Sequence, residues 1–225
     1  MTALELKIAA WVLMTAGYLG ELFFPHLLLF QMAGTAAVPL FAYLAAESCR
    51  YTRRWPSYLK RLLLLALCSE VPFDLAVSGL FFWPFRQSPV VTLLCGVAGV
   101  AFFDRYRDRE WRFLPLVGSC FLSSLLMGDY GLYGVLLLFA FYLYGSDPAR
   151  ATSFVGILTL LLRGAPLVAG RPTLETTLPF WALAACPLFF LYDGRRGGGR
   201  QFLFYPAYPL LLLLLWGGTV LLPAG

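Results

Sequence analysis

Apolar residues in this chain come in long unbroken runs, and the polar residues collect in short stretches between them. Nine such segments can be marked, at about 6–24, 27–49, 59–79, 89–103, 113–128, 131–145, 151–170, 177–192 and 202–222. Each is read as a helix, because a segment in lipid must satisfy its own backbone N–H and C=O groups. A full span needs ~20 residues to cross a ~30 Å hydrocarbon core. The fourth and sixth segments are shorter, so one or two are expected to be re-entrant or to pack at a membrane edge. Pro39, Pro115, Pro166, Pro179, Pro187 and Pro209 interrupt or flank segments and predict kinked or broken helices. Small residues mark expected helix contacts at Gly17 and Gly20, Gly34–Ala37 and Gly96–Gly99. The pattern predicts an all-α fold: one polytopic membrane helix bundle over 1–225, with eight or nine transmembrane helices, several kinked or short.

Composition agrees. Sixty per cent of residues are apolar, 13% are charged and the mean hydropathy is +0.75; soluble domains carry roughly 25% charge. The lipid bilayer is therefore the first partner. The net charge of +5 is spread over loops beside apolar segments, which does not point to nucleic acid. The loops after segments two, four, six and eight, together with Lys7, hold 14 of the 17 Lys and Arg residues; only Arg86, Arg163 and Arg171 fall on the other side. Cytoplasmic loops carry the excess of cations, so the N-terminus is expected in the cytoplasm. Lys7, offset by Glu5, makes a poor signal-peptide start. Trp55, Tyr58, Trp111, Tyr192 and Trp216 are expected as interfacial anchors. Five cysteines without ligand spacing and a single histidine lead to no expected metal site and no disulfide.

The stretch Lys60–Asp74, KRLLLLALCSEVPFD, carries the sharpest chemistry. At ~1.5 Å per residue, Glu70 lies roughly 14 Å from Arg61, near mid-membrane. A carboxylate there costs on the order of 3 kcal/mol unless paired or neutralised. Glu70 and Asp74 share a helical face, and Pro72 between them frees the carbonyl of Cys68. They are either an acid/base or substrate-orienting pair facing a cavity, or a pair bonded to a cation or to freed backbone that joins helices. Asp74 is expected nearer the outer surface, and Glu70 is expected to face segment one or two. Glu47, one turn before Arg50, reads as a surface ion pair. Arg50, Arg53, Arg54, Lys60 and Arg61 either hold anionic lipid or dock a phosphorylated ligand such as a nucleotide-bearing acyl carrier. Asp129-Tyr130-Gly131 either caps segment six or binds. His26 reads as interfacial, and Gly194–Arg200 as a flexible insert without the strand and helix of a P-loop.

These residues also form an ordered pattern. Leu6-Lys7 with Ala10 and Met14, Pro39–Leu44 followed by Glu47, Tyr51-Thr52-Arg53, Tyr58-Leu59, Arg61-Leu62 and Ser69–Asp74 come first. Thr92-Leu93-Leu94 with Gly96, Asp104-Arg105, Asp129–Gly134 and Tyr205-Pro206 follow. In this order the chain resembles the TraX family, polytopic membrane proteins named for the conjugative F-pilin acetylase, from about Leu6 to Trp216. The resemblance implies a bacterial inner-membrane acyltransferase with acetyl-coenzyme A as co-substrate, no metal, and a pilin-like or other acceptor. It implies catalytic roles for Glu70, Asp74 and Tyr18, and substrate or cofactor contacts for Lys7, Arg53, Arg54, Lys60, Arg61, Asp129, Tyr130 and Tyr208.

Four positions depart from the family pattern. Gly17-Tyr18 stands where the family has Asp-His, Thr35 where it has Arg, and Tyr208 where it has His. An imidazole titrates near working pH, whereas tyrosine has an ordinary pKa near 10 and is a poor base. Three functions follow: an acyltransferase using Glu70 as base, a catalytically inactive relative binding a lipid, carrier or partner protein, or a small transporter with Glu70 as coupling carboxylate. Restoring Gly17→Asp, Tyr18→His and Thr35→Arg together is expected to raise turnover.

Overall fold

The computed structural model describes residues 1–165, 169, 173–195 and 204–221. Pro166, Arg171, Arg196, Arg200 and the glycines at 197–199 lie outside the described residues. The described chain is all-α: its helices of six residues or more are α1 (Ala3–Phe23), α2 (Leu28–Tyr51), α3 (Trp55–Ser78), α4 (Pro89–Arg105), α5 (Leu114–Leu125), α6 (Gly131–Tyr144), α7 (Pro148–Arg163), α8 (Cys186–Leu191) and α9 (Phe204–Leu221), with one further helical turn at Leu174–Thr177. A 3₁₀ turn at Glu110–Phe113 leads into α5, and a longer one at Leu178–Ala185 leads into α8.

Local chemistry sets the ends. Thr2 and Glu5 form a reciprocal capping box on α1. Ser88 and Asp147 accept from the backbone N–H groups of Val90 and Ala149 to cap α4 and α7. Gly79, at φ 71°, closes α3 in the left-handed region. α3 begins at Trp55 because Pro56 stands in its first turn, where a missing N–H costs nothing. Lys60 and Arg61 are therefore helical rather than in a loop. Pro39, Pro72 and Pro209 lie within helices that run through them. The expected break occurs in segment eight, where Pro179 stands in the first turn of the 3₁₀ stretch and Pro187 in the first turn of α8.

Among the described residues, α1, α2 and α9 are long and apolar enough to cross a membrane. α4, α5 and α6 have 17, 12 and 14 residues, which at 1.5 Å each is about 26, 18 and 21 Å. Packing follows the small residues. A Cβ on Gly17 would sit 2.5 Å from Gly34 Cα, so α1 and α2 cross backbone to backbone there. Leu40, Val97, Leu137, Phe141 and Ala185 fill one core, while Tyr18, Phe73 and Leu212 fill a second between α1, α3 and α9.

The ends of the bundle differ in charge. The end holding Lys7, Arg53, Lys60 and Arg107 is the basic face. Tyr58, expected as an interfacial anchor, is instead buried there, because its turn of α3 faces inward. Glu47 accepts from the Tyr192 hydroxyl, and Arg50 donates to the carbonyl of Phe141 in place of the expected Glu47–Arg50 surface pair.

Candidate functional site

A cavity of about 580 Å³ runs through the bundle between α1, α2, α3, α4 and α9. Lys7, Ser48, Tyr58 and Tyr205 line its basic end; Glu21, Gln31, Arg86 and Asp129 line the opposite end. Lys7 and Glu21 are fourteen residues apart on α1, or about 21 Å. Between them the walls are mostly apolar, with Met14, Val38, Phe41, Leu65 and Leu93 among them.

Two tyrosines meet in the cavity, Tyr18 lying one helical turn from Glu21. The hydroxyls of Tyr18 on α1 and Tyr208 on α9 are 3.0 Å apart and buried, and Phe73 stands edge-on to Tyr18 at 6.4 Å. The Ser88 hydroxyl also reaches Tyr208. The Ser88 backbone N–H donates to Glu70 Oε1 at 3.4 Å, and its hydroxyl is 3.5 Å from that of Ser69. Glu70 is half-buried, outside the cavity lining, and faces the start of α4 rather than segments one or two. A shift of one residue, about 100° around the helix, would have pointed it elsewhere; only the packing of α3 on α4 decides this. Its Oε2 is buried without a partner.

Asp74 is corrected more sharply. It lies toward the end of α3 opposite the basic face, but it is 1% exposed and not open to solvent. Its Oδ2 accepts the backbone N–H of Trp83 at 2.8 Å, folding the loop after α3 back onto the helix. Glu70 and Asp74 thus share a helix but not a site.

At the end of the cavity opposite the basic face, Arg86 is clamped by two carboxylates. Its Nε donates to Asp129 Oδ1 at 2.6 Å, and its terminal nitrogens pair with Glu21. Burial alone would lower the Arg86 pKa, but the hydrogen bonds and charges of Glu21 and Asp129 outweigh it and raise the value, fixing the cation. The guanidinium also lies 5.7 Å from the Phe73 ring centroid. Asp129 does not cap α6; the residue at the cap position is Tyr130, without a side-chain cap bond.

The expected binding residues, with Tyr18 of the expected catalytic ones, divide into two places. Lys7, Tyr18, Asp129, Tyr130 and Tyr208 line the cavity. Arg53, Arg54, Lys60 and Arg61, with Arg50 and Ser57, line a separate groove on the basic face. The two adjoin through sequence neighbours: Ser48 and Tyr58 are in the cavity wall, Arg50 and Ser57 in the groove. The cations of the groove could hold phosphate oxygens. Among the described residues no group of three His, Cys, Asp or Glu could hold a metal ion.

Sequence reasoning missed Arg86, Glu21 and Ser88. Arg86 was visible as a cation on the wrong side of the charge count, and Ser88-Pro89 as a cap followed by a first-turn proline. The pairing of Arg86 with residues 65 and 43 positions away had no local signal.

Gly17, Tyr18, Thr35 and Tyr208, where the sequence departs from the family pattern, all line this one cavity. No curated protein and no solved structure matches the chain. The family described as TraX protein matches residues 3–218, and the chain, an integral membrane helix bundle, belongs to the TraX family.

Proposed function

We propose that this protein is a membrane-embedded acyltransferase that docks acetyl-coenzyme A at the basic groove and transfers the acyl group inside the cavity. The carrying observation is that the four divergent positions converge on a cavity whose basic end adjoins five groove cations. In this reading the basic face is cytoplasmic, in a bacterial inner membrane, and the N-terminus lies on that side. The acceptor is a pilin-like protein or another amine or alcohol that enters the cavity. The thioester C–S bond breaks, a C–N or C–O bond forms, and the acceptor proton ends on the released thiol.

Tyr18 and Tyr208 serve as hydrogen-bond donors to the carbonyl oxygen as it gains charge, the role of an oxyanion hole. Glu70 does not touch the cavity and reaches it only through Ser88 and Tyr208, which argues against its use as the direct base. Loss of a general base typically costs ~10²–10⁴ in rate, so turnover is expected to be slow. The tyrosines at 18 and 208 also favour a second reading, a relative that binds the carrier without turnover.

The test uses the full chain in lipid nanodiscs. Acetyl-coenzyme A should bind, and Arg53→Ala with Lys60→Ala should weaken it at least tenfold. Tyr18→Phe should slow transfer to a soluble amine and leave carrier binding unchanged. Carrier binding without any transfer supports the second reading; no carrier binding overturns both.

A further inference from the structure

The turn between α3 and α4 contains Leu80–Phe85, LFFWPF, without a charged or hydrogen-bonding side chain other than the Trp83 indole. Phe81, Phe82 and Phe85 are 76%, 72% and 68% exposed. A loop this apolar would be expected to collapse if it stood in water. Instead its backbone is tied down. Leu80 N–H donates to Ser78 Oγ, Trp83 N–H to Asp74, and Gln87 N–H to the carbonyl of Met127 at 3.0 Å. Asp129 N–H returns a bond to the Gln87 carbonyl at 3.1 Å, locking this loop to the α5–α6 turn.

That second turn presents Leu125, Leu126 and Met127, all exposed. Met127 sits at φ 53°, a left-handed conformation that is uncommon outside glycine. The lipid-facing surfaces of the neighbouring helices run straight into both turns, through exposed Leu67 and Val71 on α3 and Phe121 on α5. The helices that end here are also short: α4, α5 and α6 span about 26, 18 and 21 Å against a ~30 Å hydrocarbon core. Something apolar must complete the bundle on this side.

We propose that Leu80–Phe85 and Leu125–Met127 form one rigid apolar plate inserted below the headgroups of the leaflet opposite the basic groove, with the acyl chains of that leaflet as its partner. Irregular backbone is costly at such depth unless it is satisfied; the ties from Leu80, Trp83 and Gln87 satisfy three of these N–H groups, and a position just under the headgroups keeps the others within reach of interfacial water. Aromatic side chains at the headgroup boundary then anchor the plate. Arg86 and Asp129 leave the same two turns to line the cavity, so the plate also sets the depth of the ion pair at that end.

The experiment uses the full chain in proteoliposomes on a Cys68→Ala background, the other four cysteines being buried. Spin labels are placed by Phe82→Cys, by Met127→Cys on the second turn, and by Asp108→Cys in the exposed, charged loop after α4 as an aqueous reference, with the nickel chelate present on both sides of the membrane. Collisions with dissolved oxygen should exceed those with a water-soluble nickel chelate several-fold at 82 and 127, with the order reversed at 108. Nickel accessibility at 82 and 127 equal to that at 108 would make the plate an aqueous loop and overturn the proposal. Labels shielded from both agents, with a doubled particle mass, would make it a contact between two copies and overturn it equally. The two positions check each other, since they sit on different turns that the proposal requires to lie at one depth.

Discussion

The closest helix crossing gives the most direct test of the packing. Gly17→Ala would place a Cβ 2.5 Å from Gly34 Cα and 3.1 Å from Gly34 N. Carbon atoms sit comfortably at about 3.5–4.0 Å, so α1 and α2 must separate by about 1 Å. The neighbour is backbone and cannot rotate away. Overpacking of this kind costs about 1–3 kcal/mol, offset by about 1 kcal/mol of improved helix propensity. Gly118→Ala on α5 is the control, because nothing lies within 4 Å of its Cβ; it should gain up to about 1 kcal/mol. Reversible unfolding of both variants in mixed micelles should separate them by about 1–3 kcal/mol, with Gly17→Ala the less stable. If the two variants unfold together, α1 and α2 do not cross at Gly17–Gly34. The same clash corrects an expectation from the sequence. Gly17→Asp adds a buried carboxylate to the overpacking, so the triple restoration with Tyr18→His and Thr35→Arg should misfold rather than gain turnover. Tyr18→His with Tyr208→His keeps Gly17 and is the restoration that fits.

Arg86→Ala leaves Glu21 and Asp129 facing each other without their shared cation, and should lower stability by about 1–3 kcal/mol, less than a fully buried pair because Arg86 is partly exposed; thermal unfolding in nanodiscs checks this, with Arg86→Lys intermediate. Tyr18→Phe should cost about 1 kcal/mol, and the double variant with Tyr208→Phe should cost less than the sum of the singles, measured by a double-mutant cycle. The Asp193 carboxyl is held below its ordinary value, first by the backbone N–H of Arg195 and then by the charges of Arg195 and the N-terminus. Its folded pKa is depressed, so its contribution is present above the ordinary value of about 3.9 and is lost as pH falls through the folded value. Asp193→Asn should therefore flatten the stability profile between about pH 4 and the acid limit, and an unchanged profile would refute the contact.

Much of the architecture followed from the one-dimensional pattern alone. In a solvent without hydrogen-bonding groups, a long apolar run has almost no choice but to be a helix, which is why eight of the nine segments coincide with observed helical stretches to within a few residues; the seventh begins with α7, and its last residues lie outside the described ones. Gly17, Gly20, Gly34, Gly96 and Gly99 were legible as contacts for the same reason: close approach in lipid needs a missing side chain, and composition reports that directly. What the sequence could not determine was direction around each helix axis and depth along it. Glu70 and Asp74 look like one pair at i and i+4, yet Glu70 meets Ser88 while Asp74 holds the loop at Trp83. The Arg86 clamp joins α1, the α3–α4 turn and the α5–α6 turn, whose residues are 65 and 43 positions apart in the chain. Hydropathy carries no record of which turns share a level in the membrane. That level is set by how α3, α4 and α9 pack, and packing decided that Tyr18 and Tyr208, 190 residues apart, share one hydrogen bond.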